Sequence, residues 1–118
     1  MLLTDKTAVI SGAASARGIG RATARLFAEQ GARVAILDLD AAAAKGAAAE
    51  LGPHHIGIGC DVGDLTKCRQ AAEQAIAAFG KVDILINNAG ISQPLKLMDI
   101  APENWQLVVD VNGGMLLH

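Results

Sequence analysis

Three glycines follow a short apolar segment near the amino terminus. Gly12 comes directly after the segment 7–11, and Gly18 and Gly20 follow it and lead into a segment with helical spacing of apolar residues. The backbone N–H groups of such a turn and of the helix N-terminus can bind an anion such as a pyrophosphate, which glycines allow to approach closely. The strict GxGxxG pattern is not met, because Thr23 occupies its third position. The alternative interpretation is a tight turn between a strand and a helix, without a ligand.

An acidic residue at the end of the next apolar segment strengthens the ligand-binding interpretation. Asp38 follows the segment 33–37 (RVAIL), roughly 20–25 residues after the glycine turn, a distance at which a carboxylate can accept both hydroxyls of an adenosine ribose. Its structural alternative is to cap the following helix, a position for which Asp40 is better placed. The two features together predict a nucleotide site.

The histidines and cysteines give weaker signals. His54 and His55 are adjacent, so their side chains diverge on a strand, and with Cys60 they lack the spacing of a metal site. We therefore predict no metal. Cys60 and Cys68 cannot form a disulfide framework, and we expect both to be reduced and half-buried.

Strand-like and helix-like segments alternate along the whole chain and would position these residues. We predict strands at 7–11, 33–37, 55–60 and 82–86, and helices at about 20–30, from Asp40 to 51, from Asp64 to 79, and from Pro102-Glu103 onwards. This βαβαβαβα pattern predicts an α/β fold with a parallel sheet covered by helices on both faces.

Composition limits the possible functions of this 118-residue chain. Apolar residues make up 52%, which is enough for one domain with a sizeable core. A net charge of −2 and aromatic residues limited to one Trp and two Phe argue against nucleic-acid binding. The absence of a signal peptide and of a long apolar run predicts a soluble, cytoplasmic protein that does not enter membranes.

Five motifs occur in a recognisable order. They are Ser11–Gly20 (SGAASARGIG), Asp38, Asp61-Val62, the NNAG tetrad from Asn87 to Gly90, and Asn112. With these motifs the sequence resembles the classical short-chain dehydrogenase/reductase family. The resemblance implies a Rossmann-like doubly wound sheet with strand order 3-2-1-4, and an oxidoreductase that reduces a carbonyl or oxidises an alcohol with a nicotinamide cofactor. It also implies a small-molecule substrate and a homo-oligomer.

The resemblance also implies roles for individual residues. Asn112 would be catalytic, as the first member of an Asn-Ser-Tyr-Lys tetrad, where it helps to hold a proton-relaying water. The residues implied in cofactor binding are Gly12, Ser15, Arg17, Gly18, Ile19, Gly20, Asp38, Leu39, Asp61, Val62, Asn88, Ala89 and Gly90.

The sequence departs from the family pattern in two places. Gly12 and Gly18 enclose five residues, whereas the family usually has three between its first two turn glycines. The chain also contains no Tyr, so the family's YxxxK motif is missing. We therefore expect residues 1–118 to be the amino-terminal portion of an NAD(P)-binding domain, truncated before the catalytic Ser, Tyr and Lys and inactive alone.

The residues leave two alternatives for the cofactor and two for the function. Asp38 would repel the additional phosphate of NADP and favours NAD. The resemblance implies the opposite preference for Arg17, because family members that use NADP often carry a basic residue there; the alternative interpretation of Arg17 is a solvated loop charge. NAD is preferred, and NADP stays possible. The alternative function is a catalytically inactive nucleotide-binding or self-associating half-domain. Such a domain would associate through an exposed edge at Val82–Ile86 or through residues 103–118.

Overall fold

A single parallel sheet organises the chain. The computed structural model describes residues 1–12, 18–61, 64–87 and 107–110. In chain order, the described elements are β1 (Thr7–Ser11), α1 (Ile19–Glu29), β2 (Arg33–Asp38), α2 (Ala41–Leu51), β3 (Ile56–Gly59), α3 (Leu65–Phe79), β4 (Ile84–Asn87) and β5 (Leu107–Asp110).

The strand order is β3-β2-β1-β4-β5, and every pairing is parallel. This arrangement confirms the predicted Rossmann-like sheet with order 3-2-1-4. The chain reverses its direction of winding between β1 and β4, which in such sheets creates a crevice at the carboxyl ends of the strands. None of the helices in the described part of the chain has the length and hydrophobicity that crossing a membrane requires.

Local sequence signals set the helix ends. The Asp40 carboxylate accepts a hydrogen bond from the Ala43 N–H at 3.1 Å and so begins α2. Asp64 begins α3 in the same way, accepting from the N–H groups of Thr66 and Lys67. Gly80, with φ of +84°, ends α3 in the left-handed conformation that favours glycine. These ends match the predicted ones to within one or two residues.

Apolar residues of β1, β2 and β4 are buried on both faces of the sheet, as their nearly continuous apolar runs predict. Successive strand residues point to opposite faces, so each face has its own core. On one face α1 and α2 pack on Ala8, Ile10, Val34, Ile36, Ile84 and Ile86. On the other face Cys68, Ala72 and Phe79 of α3 pack on Val9, Leu37, Ile58 and Leu85.

Helix α2 lies unusually close to β3. A Cβ placed on Gly57 would lie 2.2 Å from the backbone C and O of Ala44, and one on Gly59 would lie 2.6 Å from the Cβ of Ala41. Real Cβ atoms almost never approach other atoms this closely. The two glycines, which lower strand propensity, therefore permit the helix to rest directly on the strand.

The predicted last helix is wrong over Leu107–Asp110, which form β5 beside β4. Four residues with two adjacent β-branched valines carry too little periodicity to separate strand from helix. Pairing also satisfies backbone groups along the outer edge of β4, which a helix would leave unpaired. The expected exposed edge at Val82–Ile86 is corrected as well, because β4 is an interior strand of the sheet.

Candidate functional site

The carboxyl ends of neighbouring strands bring the described candidate residues to one edge of the sheet. Ser11 of β1 is in register with Leu37 of β2 and with Asn87 of β4. Asp38 is in register with Gly59 of β3. Because all these strands are parallel, the residues that follow them emerge on the same side.

The turn after β1 begins with a residue in a special conformation. Gly12 has φ of +69°, which favours glycine, and its N–H donates to the Leu37 carbonyl at 2.9 Å. At the far side of the turn, Gly18 is the N-cap of α1 and has no side chain with which to cap the helix. The N-terminus of α1, with the buried Gly20 in its first turn, therefore carries the partial positive charge of the helix dipole at this edge.

Asp38 is held in place by its backbone and by its own side chain. Its carbonyl accepts from the Cys60 N–H at 2.8 Å, and its Oδ1 accepts from the Asp40 N–H at 3.0 Å. The alternative role of helix cap belongs to Asp40, so the partly exposed Asp38 carboxylate keeps acceptor positions for a ligand. Leu39 beside it is 78% exposed.

Asp61 stands after β3 on the same edge. Its side chain is exposed, and its carbonyl accepts from the N–H of the α3 cap, Asp64, at 3.0 Å. The structure thus places Gly12, Gly18, Gly20, Asp38, Leu39 and Asp61, together with the backbone of Ile19, along one edge of the sheet. Predicted residues outside the described ranges are Ser15, Arg17, Val62, Asn88, Ala89, Gly90 and Asn112.

Cys60 lies beneath this edge but is not suited to nucleophilic chemistry. Burial, followed by the neighbouring Cys68 and the charges of Asp61 and Asp64, raises the pKa of the Cys60 thiol to about 12. Cys60 is 4% exposed and Cys68 is fully buried, and neither forms a disulfide within the described part of the chain. The expectation of half-burial is therefore corrected, because α3 packs both residues into the core.

A buried polar cluster that sequence analysis missed lies at the opposite, amino edge. The Asp83 carboxylate accepts from the Thr7 N–H at 2.9 Å and pairs with Lys81 at 2.9 Å. Burial acts to raise the pKa of Asp83, but the bonds from Lys81 and Thr7 and the charges of Lys81 and Lys6 bring that pKa below its usual value. The detectable signal was one carboxylate within the apolar run 82–86, which requires a partner when buried.

His55 lies at the same amino edge of the sheet and stabilises it. Its Nδ1 accepts from the Val34 N–H at 3.0 Å, which ties the residue before β3 to β2. Burial, then the neighbouring His54, lowers the pKa of His55. A cavity of about 310 Å³ that His55 lines with Thr4 and Arg33 therefore lies away from the predicted nucleotide-binding residues.

A parallel sheet with this winding, a glycine turn after β1 and an acidic residue ending β2 define a Rossmann-like domain of the dinucleotide-binding type. The chain belongs to the short-chain dehydrogenase/reductase family, as a family model described as enoyl-(acyl carrier protein) reductase matches residues 12–116.

Relatives of this chain include proteins that are named as dehydrogenases. It is 60% identical to an uncharacterized short-chain type dehydrogenase/reductase of Sinorhizobium fredii, with 100% of the chain and 48% of that protein covered. It is 38% identical to D-threitol dehydrogenase of Mycolicibacterium smegmatis, with 98% of the chain and 45% of that protein covered.

A solved structure has the same fold. This is 3-ketoacyl-(acyl-carrier-protein) reductase of Brucella melitensis complexed with NADH, which is 44% identical, with a TM-score of 0.71 over 75% of the chain and 36% of that structure. The chain spans about half the length of the curated relatives it matches.

Proposed function

We propose that the protein carrying this chain is an oxidoreductase that interconverts a carbonyl and an alcohol with a nicotinamide dinucleotide, and that residues 1–118 supply its dinucleotide-binding portion. The observation that carries this proposal is the Asp38 carboxylate at the end of β2, on the same edge as the Gly12 turn and the N-terminus of α1. Support comes from the similar Brucella reductase, which is complexed with NADH.

The described residues fit the diphosphate of such a cofactor. Gly12, Gly18 and Gly20 keep side chains away from the N-terminus of α1, whose N–H groups and dipole favour an anion. In this proposal they bind the pyrophosphate together with Ile19. Ser15 and Arg17 would complete the turn around it.

The adenosine end would lie across β2 and β3. Asp38 would accept the hydroxyls of the adenine ribose, with the exposed Leu39 beside it. Asp61 and Val62 would flank the adenine, where the Asp61 carboxylate can accept from the exocyclic amine.

We propose NAD as the preferred cofactor. Two like unit charges 4 Å apart repel by about 1 kcal/mol in bulk water and about 4 kcal/mol near a protein surface. The Asp38 carboxylate would therefore disfavour the additional phosphate of NADP, while Arg17 would act in the opposite direction.

The nicotinamide end would lie beyond β4. Asn88, Ala89 and Gly90 directly follow that strand and would bind the nicotinamide ribose, and Asn112 would hold a water that relays protons. When bound, the cofactor supplies or accepts the hydride. A Tyr acid/base would have to come from outside residues 1–118, which contain no Tyr, so we expect this chain to be inactive alone. The substrate would be a small carbonyl or alcohol, and the protein a cytoplasmic homo-oligomer.

Calorimetric titration of the native protein with NADH and NADPH tests this proposal. We expect tighter binding of NADH, and an Asp38→Asn variant should bind NADH about 10- to 100-fold more weakly, since hydrogen bonds to a charged group contribute about 1.5–3 kcal/mol. A Glu73→Gln variant removes an equal charge from an exposed site on α3 and should bind like the wild type. Equal binding of NADH by wild type and Asp38→Asn would contradict the proposal.

A further inference from the structure

Gly59 lies directly opposite Asp38, in the neighbouring strand. The two residues are in register across β2 and β3, and the N–H of the next residue, Cys60, donates to the Asp38 carbonyl at 2.8 Å. The end of β3 therefore fixes the backbone of Asp38 from one side.

Helix α2 bounds the same turn from the other side. A Cβ on Gly59 would lie 2.6 Å from the Ala41 Cβ and 3.2 Å from its Cα, so the first residue of α2 rests on Gly59. Between Asp38 and Ala41 there are only two residues, and the Asp38 Oδ1 is already bonded to the Asp40 N–H. A shift of Ala41 must therefore also displace the Asp38 carboxylate, because the turn between them is short and is held by this hydrogen bond.

We infer that Gly59 is a positioning residue for the cofactor site: its contact with Ala41 sets the height of the first turn of α2 above β3 and thereby the place of the Asp38 carboxylate. This inference rests on the proposed function, in which Asp38 receives the adenine ribose. Gly59 itself touches no cofactor in this arrangement.

A Cβ on Gly59 would be closest to the Ala41 Cβ, so a second substitution at Ala41 can compensate for a substitution at Gly59. Gly57 would meet backbone atoms of α2, which no side-chain substitution can remove. Gly59 would instead meet mainly the Ala41 Cβ, so exchanging the two residue types moves one methyl group from helix to strand. The double variant Ala41→Gly/Gly59→Ala should therefore restore the spacing that Gly59→Ala disturbs.

The experiment measures NADH and NADPH dissociation constants of the native protein and of three variants. Gly59→Ala should bind NADH about tenfold more weakly and discriminate less against NADPH, because the carboxylate is displaced from the ribose. The double variant should return NADH binding to within about threefold of wild type. Gly46→Ala on the same helix, where a Cβ meets nothing within 4 Å, should leave both constants unchanged.

The outcomes separate this inference from the proposed function. A wild-type protein that binds no NADH overturns both. A wild type that binds NADH, with Gly59→Ala unchanged or with a loss that the double variant does not reverse, overturns the inference alone. If Gly59→Ala does not fold, the double variant decides: folding with near-wild-type binding supports the inference, and folding with tenfold weaker binding contradicts it.

Discussion

Replacement of Gly57 by alanine tests the packing of α2 on the sheet. The new Cβ would lie 2.2 Å from the backbone C and O of Ala44 and 2.4 Å from the N of Lys45. An ordinary carbon–carbon contact is about 3.5 Å, so helix and strand would have to separate by roughly 1.3 Å. The obstructing atoms are backbone, so no rotamer change can relieve the clash.

The structure sets the size of the effect. Adding a methylene to a well-packed core typically costs 1–3 kcal/mol, and here the shift must move a helix whose Ala44, Ala47 and Ala48 are buried against the sheet. We therefore expect Gly57→Ala to lower the free energy of unfolding by about 3 kcal/mol or more. Domains are typically stable by only 5–15 kcal/mol, so this is a large fraction of the total.

Urea unfolding of the native protein measures this loss. With an m value of roughly 1–3 kcal/mol/M, the midpoint should fall by about 1 M or more. The matched control is Gly46→Ala in the same helix, which meets nothing within 4 Å and should stabilise by about 0.5–1 kcal/mol. A Gly57→Ala protein within about 0.5 kcal/mol of wild type would show that α2 does not rest on β3 as described.

Three further predictions concern titratable groups that are buried or, for His55, partly buried. Asp83→Ala should lower the free energy of unfolding by about 3 kcal/mol, because it leaves the Thr7 N–H buried without its partner. Since the pKa of Asp83 is lowered, the contribution of this carboxylate to stability is present above about pH 3.9 and is lost as the pH falls through the folded-state pKa. If the urea midpoints of wild type and variant kept the same difference from pH 6 to pH 2, this prediction would be wrong. The lowered pKa of His55 means that its contribution to stability is complete above about pH 6.5 and is lost below it. In the His55→Ala variant the urea midpoint should therefore change less between pH 7 and pH 5 than in the wild type. An equal change of the midpoint in both proteins would refute this. Cys60, with its pKa near 12 and 4% exposure, should resist iodoacetamide at pH 8 until urea is added, as peptide mass spectrometry can show, and rapid labelling of the native protein would contradict its burial.

Local sequence signals predicted most of the described fold. Asp40, Asp64 and Gly80 mark helix ends by chemistry that acts within a few residues, and strands buried on both faces are recognisable as continuous apolar runs. Leu107–Asp110 was mispredicted because a four-residue apolar segment takes its conformation from its neighbour, β4, which is distant in the sequence.

For the candidate site, too, the sequence predicted some features and not others. The sequence predicted Gly12, Gly18, Gly20 and Asp38 as candidate residues, and the structure brings them to one edge because parallel strands end together. The closeness of Gly59 to Ala41 depends on how α2 packs on β3, and no local sequence pattern predicts that packing. From the sequence alone, Gly59 is therefore only a residue with low strand propensity. The Thr7–Asp83 pair likewise joins residues 76 positions apart.

A crystal structure of the native protein with bound NAD⁺ tests the central claim most directly. We expect the pyrophosphate at the N-terminus of α1, and both adenine-ribose hydroxyls about 2.7–3.2 Å from the Asp38 carboxylate oxygens. A cofactor bound with its ribose away from Asp38, or at another edge of the sheet, would contradict it.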